Sequence, residues 1–423
     1  MTIRQTNQVH VGNLTIGGGA PIRVQSMTTT NTNDTAACVA QAKRIIDAGG
    51  ELVRLTTQGR REAENMANIS AALKADGYPT PLVADVHFNA NVADIAALYC
   101  EKVRVNPGNY VDPARTFNHI DYSAEEYADE LQKIEERFIP FLNICKEHHT
   151  AIRIGVNHGS LSDRIMSRYG DTPEGIVESC MEFLRICKRE NFTDVVLSIK
   201  ASNTVVMVQS VRLLVSTMDK EDMHYPLHLG VTEAGEGEDG RIKSAVGIGA
   251  LLTEGIGDTI RVSLSEEPEC EIPVAKKIVG FIDECASLRE NARIEKDTLF
   301  LSFNENDREN LQLKAAMAAG ALLIDRKAKE LCITNFDKPQ QELADAIMQA
   351  ARVKFTKTEY ISCPGCGRTL YDRRGTIARI KAAVAHETEV SETPEVWKGL
   401  KIGIMGCIVN GPGEMADADY GYV

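Results

Sequence analysis

The sequence predicts an eight-stranded parallel (β/α)₈ barrel followed by two smaller α/β segments. Eight short β-branched runs alternate with longer amphipathic stretches through the first two-thirds of the chain, which is typical of parallel strands joined by helical crossovers. Eight is also the number of strands that closes such a barrel. An open doubly wound sheet is the alternative, because a strand count taken from sequence can be wrong by about one or two. The predicted strands are residues 22–26, 51–56, 81–85, 102–106, 151–156, 194–199, 226–231 and 258–263.

Helical patterns lie between these runs, and a short hairpin precedes them. The hairpin, Val9–Val11 and Leu14–Ile16 around Gly12-Asn13, is expected to plug the bottom of the barrel. The predicted helices are residues 35–48, 63–75, 124–148, 173–190, 204–218, 243–253 and 271–289. We therefore assign the barrel to residues 1–289.

Two further segments follow the barrel. Residues 290–360 form a small α/β insert without evident chemistry, with strands at 298–303 and 330–335 and helices at 307–320 and 339–352. Residues 361–423 hold Cys363-Pro-Gly-Cys366, a helix through 378–386, a buried strand at 400–405 and the loop 406–414.

Charge and composition exclude several functional classes. The net charge is −13 and Lys or Arg residues form no extended block, so nucleic acid is not an expected partner. No apolar run approaches the roughly 18 residues of a membrane span. The first residues resemble neither a signal peptide nor a transit peptide, so we expect a cytoplasmic protein without a membrane partner.

The cysteines divide into two groups. There are 11, an odd number without a secretion signal, so a disulfide framework is not expected. Eight are predicted to be small buried core residues: Cys38, Cys100, Cys145, Cys180, Cys187, Cys270, Cys285 and Cys332. Cys363, Cys366 and Cys407 remain as candidates for chemistry.

Cationic residues stand at or near the ends of the predicted strands, where barrel enzymes carry their catalytic groups. They are Arg54, Arg104, Arg153, Lys200 and Arg261. A buried arginine is costly unless an anion or a carboxylate pairs with it. Carboxylates of the chain are one set of partners, namely Asp85, Glu233 and Asp258. So many cations converging on one rim favour an anion site instead, and a doubly phosphorylated ligand would suit that charge.

The three remaining cysteines favour a metal centre. Cys363-Pro-Gly-Cys366 is a tight turn that can direct two thiolates at one centre, although zinc knuckles and thioredoxin sites use the same spacing. A zinc ribbon normally needs a second Cys pair or a Cys/His pair, and here only Cys407 follows. Three thiolates on a [4Fe–4S] cluster leave one iron for an oxygen ligand, for which Glu414 is the candidate. The alternative for Glu414 is an exposed loop carboxylate.

Long sequence strings resemble the 4-hydroxy-3-methylbut-2-enyl diphosphate synthases of the non-mevalonate isoprenoid pathway. The resemblance covers residues 5–268 and 361–419 and is carried by Gln25-Ser-Met-Thr28, Ala84-Asp-Val-His-Phe88, Arg104-Val-Asn-Pro-Gly-Asn109, Arg153-Ile-Gly-Val-Asn-His-Gly-Ser160, His228-Leu-Gly-Val-Thr-Glu-Ala-Gly235, residues 254–264 and Gly406-Cys-Ile-Val-Asn-Gly-Pro-Gly-Glu414. It implies a TIM barrel that opens 2-C-methyl-D-erythritol 2,4-cyclodiphosphate reductively, with loss of water and with electrons from ferredoxin or flavodoxin.

The resemblance also implies a set of site residues. The implied ligands of a [4Fe–4S] cluster are Cys363, Cys366, Cys407 and Glu414. The implied diphosphate contacts are Arg54, Arg104, Arg153, Asn157, Lys200, Arg261 and Ser263. The implied acidic groups near the reacting carbons are Asp85 and Glu233, and Glu414 is expected to take part in catalysis as the ligand that leaves the cluster.

Two departures from the family accompany this resemblance. The 290–360 segment looks like a shortened version of the large domain of the long form, and we expect the C-terminal module to be incomplete at Val423. The cysteine module must meet the barrel mouth, either within one chain or from the partner subunit of a homodimer. Two rival functions are a zinc-stabilised barrel synthase similar to pterin-binding synthases and a non-catalytic redox or iron sensor.

Overall fold

The N-terminal hairpin covers one end of a barrel in the computed structural model, which describes residues 2–113, 116, 118–369, 371–391, 393–407, 411–416 and 418–423. Strands β1 (Val9–Val11) and β2 (Leu14–Ile16) pair antiparallel, as predicted. Their fully buried side chains pack against inward-facing residues at the lower ends of four barrel strands: Leu52, Val83, Ala151 and Val196. The hairpin is therefore the predicted plug.

Eight parallel strands form the barrel. They are β3 (Arg23–Met27), β4 (Leu52–Thr57), β5 (Leu82–Val86), β6 (Lys102–Val105), β7 (Ala151–Asn157), β8 (Val195–Lys200), β9 (His228–Leu229) and β10 (Thr259–Ile260). Their order is β8-β7-β6-β5-β4-β3-β10-β9, and a parallel bridge from Leu197 to Leu227 joins the two edges. The barrel is confirmed. The regular ladder of β9 and β10 is shorter than predicted, although the Arg261 N–H still donates to Leu229 O at 3.0 Å.

Helices surround the barrel in the described residues. They are α1 (Thr35–Asp47), α2 (Arg60–Ala75), α3 (Ala90–Ala97), α4 (Ala124–His148), α5 (Asp163–Tyr169), α6 (Pro173–Arg189), α7 (Thr204–Lys220), α8 (Gly237–Leu252), α9 (Glu271–Gly280) and α10 (Ile282–Glu290). Helix α4 begins at a capping box in which Ser123 and Glu126 satisfy each other's backbone N–H groups. The short α3 and α5 were not predicted, and the predicted 271–289 helix is divided at Phe281.

The segment after the barrel forms a small sheet with two helices. Its elements are β11 (Arg293–Glu295), β12 (Thr298–Phe303), β13 (Glu330–Asn335) and β14 (Lys338–Pro339), with α11 (Arg308–Ile324) and α12 (Gln341–Ala350). Helix α11 crosses barrel helix α8 closely, because Gly320 lies against the backbone of Val246. A Cβ at Gly320 would come within 2.7 Å of Val246 O, so only glycine permits this approach.

The C-terminal segment forms a three-stranded parallel sheet in the order β15-β16-β17. Its elements are β15 (Glu359–Ser362), α13 (Arg373–Val390), β16 (Lys401–Ile404), α14 (Gly411–Glu414) and β17 (Tyr420–Tyr422). Only β16 and α13 were predicted. Buried Glu359 at the start of the segment pairs with Lys243 of the barrel at 2.9 Å and with Arg352 at 2.8 Å, which fixes the segment to the rest of the chain.

The cysteine predictions are correct except at two positions. Six of the eight predicted core cysteines are buried, but Cys270 and Cys332 are partly exposed. Cys270 ends the 3₁₀ turn Pro268–Cys270, and Cys332 lies on the outer face of β13. In the described part of the chain no cysteine forms a disulfide, and no helix is long and apolar enough to cross a membrane.

Candidate active site

The C-terminal segment lies over the mouth of the barrel of its own chain. A parallel bridge joins Ala234 to Ser362, and Ser265 Oγ contacts Cys363 O at 3.2 Å. On the other side Gly159 lies against helix α14, where a Cβ at Gly159 would come within 2.5 Å of Glu414 N. The chain by itself therefore brings its cysteine segment onto the barrel.

This arrangement forms a cavity that collects nearly all of the predicted site residues. They are Arg54, Asp85, Arg104, Arg153, Asn157, Lys200, Glu233, Arg261, Ser263, Cys363, Cys366 and Cys407. The barrel residues meet because parallel strands end at the same rim. Of the predicted residues, Glu414 does not line the cavity.

Two of the four predicted cavity arginines are paired with carboxylates. Arg104 Nη1 donates to Asp85 Oδ1 at 3.1 Å, and Arg104 Nη2 donates to Asn157 Oδ1 at 3.2 Å. Arg261 donates through Nε and Nη2 to both oxygens of Glu271, at 2.9 Å each. Glu271 was not among the carboxylates considered as partners. Asp258 was expected as a partner of the arginines, but its carboxylate accepts a hydrogen bond from Thr6 Oγ1 at 2.7 Å.

Arg54 and Arg153 contact no carboxylate among the described residues. Arg54 donates to Met27 Sδ at 2.9 and 3.0 Å. Arg153 is 1% exposed, and its Nε and Nη1 have no hydrogen-bond partner in the described chain. Burial and neighbouring cations, Arg54 first, lower the pKa of Arg153 well below its usual value. An anion in the cavity would meet both guanidinium groups and relieve their mutual repulsion.

The pKa values of Asp85 and Glu233, the two carboxyl groups of the cavity, are shifted in opposite directions. Burial favours the neutral form of Asp85, but Arg54 and Arg104 hold the pKa of its carboxyl well below the usual value. Burial raises the pKa of Glu233, against the lowering effects of Thr232 and Lys200. Glu233 also sits in the left-handed region at φ 50°, a conformation that non-glycine residues adopt at a cost. Asp85 is thus suited to hold cations, and Glu233 to carry a proton.

The three cysteines have the properties of a thiolate centre. A hydrogen bond with Cys407 and the charge of Arg368 lower the pKa of Cys366 to about 5, although burial acts in the opposite direction. The Gly406 N–H donates to Cys363 Sγ at 3.2 Å. In the described residues no three His, Cys, Asp or Glu side chains converge on a single metal position. Thiols of this kind beside one cavity are donors that a metal centre accepts.

Glu414 is buried, so the alternative of an exposed loop carboxylate is wrong. It is 2% exposed, its Oε2 accepts from Thr232 Oγ1 at 3.4 Å, and its Oε1 has no partner among the described residues. Burial, with Glu233 as the next cause, raises its pKa well above the usual value. Its role as an iron ligand stays a prediction.

Sequence reasoning missed Arg368 and did not include His87 in the site. Both line the cavity, and Arg104 Nη1 and His87 Nε2 are in hydrogen-bond contact. Burial, followed by the charge of Arg104, lowers the pKa of His87 to about 3, so the ring is neutral. The signal for Arg368 was its place two residues after Cys366, and the signal for His87 was its place at the end of β5.

Comparison with known proteins gives two family matches and a set of similar full-length chains. A model described as the GcpE TIM-barrel domain matches residues 6–276, and one described as the GcpE protein C-terminal domain matches residues 359–423. These matches leave residues 277–358 between them. Among solved structures, dihydropteroate synthase from Xanthomonas albilineans aligns with a TM-score of 0.41 at 11% identity, over 66% of this chain and 97% of that chain. A likeness at that level says nothing about function.

Three similar proteins are each named 4-hydroxy-3-methylbut-2-en-1-yl diphosphate synthase (flavodoxin). The protein of Bacteroides fragilis is 48% identical, over 99% of this chain and 90% of that protein. Those of Porphyromonas gingivalis and Protochlamydia amoebophila are 43% and 35% identical, over 99% of this chain and 91% and 90% of theirs. The first alignment extends over 573 positions although this chain has 423 residues, so that relative carries additional residues within the aligned span.

Proposed function

Because this chain belongs to the GcpE family, we propose that it catalyses the reductive ring opening and dehydration of 2-C-methyl-D-erythritol 2,4-cyclodiphosphate. The product is 4-hydroxy-3-methylbut-2-enyl diphosphate, an intermediate of isoprenoid biosynthesis. The observation that carries the proposal is a cavity in which buried arginines, some of whose N–H groups have no partner among the described residues, lie with three cysteines.

The diphosphate binds to the cationic side of the cavity. Arg54 and Arg153 offer N–H groups that no carboxylate occupies in the described contacts, and bidentate guanidinium donors match phosphate oxygens. Lys200 adds a further positive charge, and burial beside Arg54 and Arg153 lowers its pKa well below the usual value. A bound diphosphate would reverse that effect and hold the amine in its charged form.

A [4Fe–4S] cluster held by Cys363, Cys366 and Cys407 would supply electrons to the bound substrate. Flavodoxin or ferredoxin would in turn reduce the cluster. The acidic thiol of Cys366, the N–H donor of Gly406 and the charge of Arg368 support thiolate ligands at this position. The remaining ligand in the proposal is Glu414, which is buried close to the barrel rim.

Residues of the chain donate a proton that the reaction needs and limit the access of water. The overall conversion takes up two electrons and two protons and releases one water molecule. Glu233 lines the cavity, is buried and favours its protonated form, so it is the proposed donor to the departing hydroxyl group. Asp85 stays ionised and keeps Arg104 oriented toward the substrate. The C-terminal segment lies over the cavity and limits the access of bulk water to it.

The rival functions agree less well with the site. A structural zinc ion needs its ligands about 3.8 Å apart around one point, and the described residues show no such convergence of three donors. A sensor has no use for several buried cations around a cavity. Neither rival accounts for the full-length similarity to the synthases.

The assay that tests the proposal is anaerobic turnover of the cyclodiphosphate by the reconstituted chain with reduced flavodoxin. We expect the open-chain diphosphate as product, and Cys407→Ala should abolish its formation while the protein keeps its fold. A Cys332→Ala variant is the matched control, because Cys332 lies on the distant insert sheet. An active Cys407→Ala protein would contradict the proposal.

The role of Glu414 needs a separate experiment. If Glu414 holds iron, Glu414→Gln keeps the size of the side chain but removes the anion, so cluster occupancy and the visible absorption spectrum should both change. If the variant keeps its cluster, its spectrum and full turnover, Glu414 is no ligand and only braces the loop before it.

A further inference from the structure

Arg368 extends into the barrel cavity from the C-terminal segment, and some of its N–H donors have no partner among the described residues. Its side chain is 7% exposed, and its Nη2 donates to Asp85 Oδ2 at 3.0 Å. In the described part of the chain its Nε and Nη1 are buried without a hydrogen-bond partner. A buried guanidinium group with only one of its donors used is costly, because the unused N–H groups have lost their water.

The position of Arg368 is fixed by the turn that carries it. The Thr369 N–H donates to Cys366 O at 3.0 Å, which closes the turn. Gly367 lies against barrel residue Thr30, and a Cβ there would come within 2.7 Å of Thr30 O. The turn is therefore seated directly on the barrel rim, with Arg368 directed inward.

Guanidinium N–H donors outnumber their acceptors around Arg368 in the described residues. Asp85 is shared by Arg368 on Oδ2 and Arg104 on Oδ1, so one carboxylate serves two guanidinium groups. Arg54 and Arg153 line the same cavity without carboxylate partners in the described contacts. The Cys366 thiolate of the same turn adds negative charge beside Arg368, but the Nε and Nη1 donors of Arg368 still have no hydrogen-bond partner among the described residues, and a ligand in the cavity would supply one.

We propose that Arg368 is a substrate-binding residue that the C-terminal segment contributes to the barrel site, with Nη1 and Nε on a phosphate oxygen and Nη2 on Asp85. The inference rests on the proposed function and adds one consequence to it. A diphosphate held by barrel arginines and by Arg368 joins the two segments, so binding of the anion and closure of the C-terminal segment stabilise each other.

The test measures binding of inorganic pyrophosphate to the full reconstituted chain by calorimetry. Arg368→Gln should weaken binding by roughly 10- to 150-fold, the loss expected when charge-assisted hydrogen bonds disappear. Arg374→Gln is the matched control. Arg374 also joins the C-terminal segment to the barrel, through Glu267 at 2.6 Å, but it lies at the surface outside the cavity. The affinity of the Arg374→Gln variant for pyrophosphate should equal that of the unsubstituted chain.

Hydrogen exchange supplies a second readout that does not depend on turnover. Pyrophosphate should slow exchange of the backbone around residues 361–369 in the unsubstituted chain and in Arg374→Gln, and should have a much smaller effect in Arg368→Gln. If Arg368→Gln does not fold, Arg368→Lys serves in its place. Its affinity should also fall, because one ammonium group cannot hold Asp85 and the ligand in the geometry of a guanidinium group.

Each contrary outcome has a distinct meaning. If Arg54→Met and Arg153→Met lose affinity while the Arg368 variants do not, the inference is wrong and the proposed function stands. If Arg368→Gln changes the visible spectrum but keeps its affinity for pyrophosphate, the arginine serves the cysteine centre, which also overturns the inference. If none of the variants loses affinity, the anion site itself is wrong.

Discussion

The two ends of the barrel interior are built from opposite kinds of residue. At the lower end Val9, Val11 and Ile16 of the hairpin fill the space between inward-facing Leu52 and Val83, all of them fully buried. At the upper end the same strands β4 and β5 present Arg54 and Asp85 instead. A change of two positions along one strand therefore replaces close apolar packing with buried charge.

The lower end of the barrel therefore contributes to stability, and the upper end carries the proposed function. The lower end follows the ordinary rule that buried side chains are apolar, and nothing there needs a ligand. The upper end violates that rule, and barrel enzymes carry their chemistry at this end. Substitutions at the two ends should consequently produce separable defects, which gives four predictions.

The largest effect is expected at the upper end, from Glu233→Gln. The amide keeps the shape of the side chain but cannot deliver a proton, so turnover should fall by about 10²- to 10⁴-fold. The binding of pyrophosphate should change little, since Glu233 is proposed to act on the leaving hydroxyl group and not on the phosphates. Steady-state kinetics with the cyclodiphosphate and calorimetry with pyrophosphate measure the two quantities. Retention of full turnover would remove Glu233 from the mechanism.

The lower end should respond in stability alone. Ile16→Ala removes a fully buried side chain from the plug, and the resulting cavity should lower the free energy of unfolding by about 2–5 kcal/mol. Denaturant titration measures the loss. Affinity for pyrophosphate at a temperature where the variant is folded should equal that of the unsubstituted chain. A loss of affinity would mean that the two ends are coupled and that the comparison fails.

Arg153→Met tests the anion site with a smaller effect. Loss of the charged donors should weaken pyrophosphate binding by about 1.5–3 kcal/mol. Arg23→Met is the matched control, since Arg23 also belongs to a barrel strand but lies at the lower end, where it pairs with Glu51 at 2.7 Å. Calorimetry should separate the two variants clearly. Equal affinities would contradict the placement of the diphosphate beside Arg153.

The sequence predicts much of this arrangement, because the features that carry it are local. Runs of β-branched residues indicate the strands, and parallel strands bring Arg54, Arg104 and Arg153 to one rim without further information. The pairing of Arg261 with Glu271 was missed because it depends on how α9 packs against the barrel. Arg368 was missed for a similar reason. Its position depends on the packing of the C-terminal turn against Thr30. A contact between segments so far apart in the chain cannot be predicted from the hydrophobic pattern of the sequence.

Lys102 is the exception that can break the comparison between the two ends. It is fully buried, its Nζ has no partner among the described residues, and in the β-ladder it stands between Val83 and Ala151 of the apolar lower end. Burial, followed by the charges of Arg153 and Arg54, lowers the pKa of Lys102 well below its usual value. One cationic residue therefore belongs to the lower end of the barrel.

The smallest expected effect is the pH dependence that Lys102 contributes to stability. A depressed pKa means that the unfolded chain binds a proton that the folded chain lacks, so this residue makes stability rise with pH until the ordinary lysine pKa of about 10.4 is reached. Lys102→Met fills the same space without a titrating group. Below that pH the variant should be more stable than the unsubstituted chain, and its advantage should shrink by at most about 1.4 kcal/mol per pH unit as the pH rises. Denaturant titrations of both chains between neutral and alkaline pH measure the difference, in which the titration of other groups cancels. A variant that is less stable at neutral pH would show that the Lys102 amine is a bound, charged member of the anion site and that the lower end is not a purely structural region.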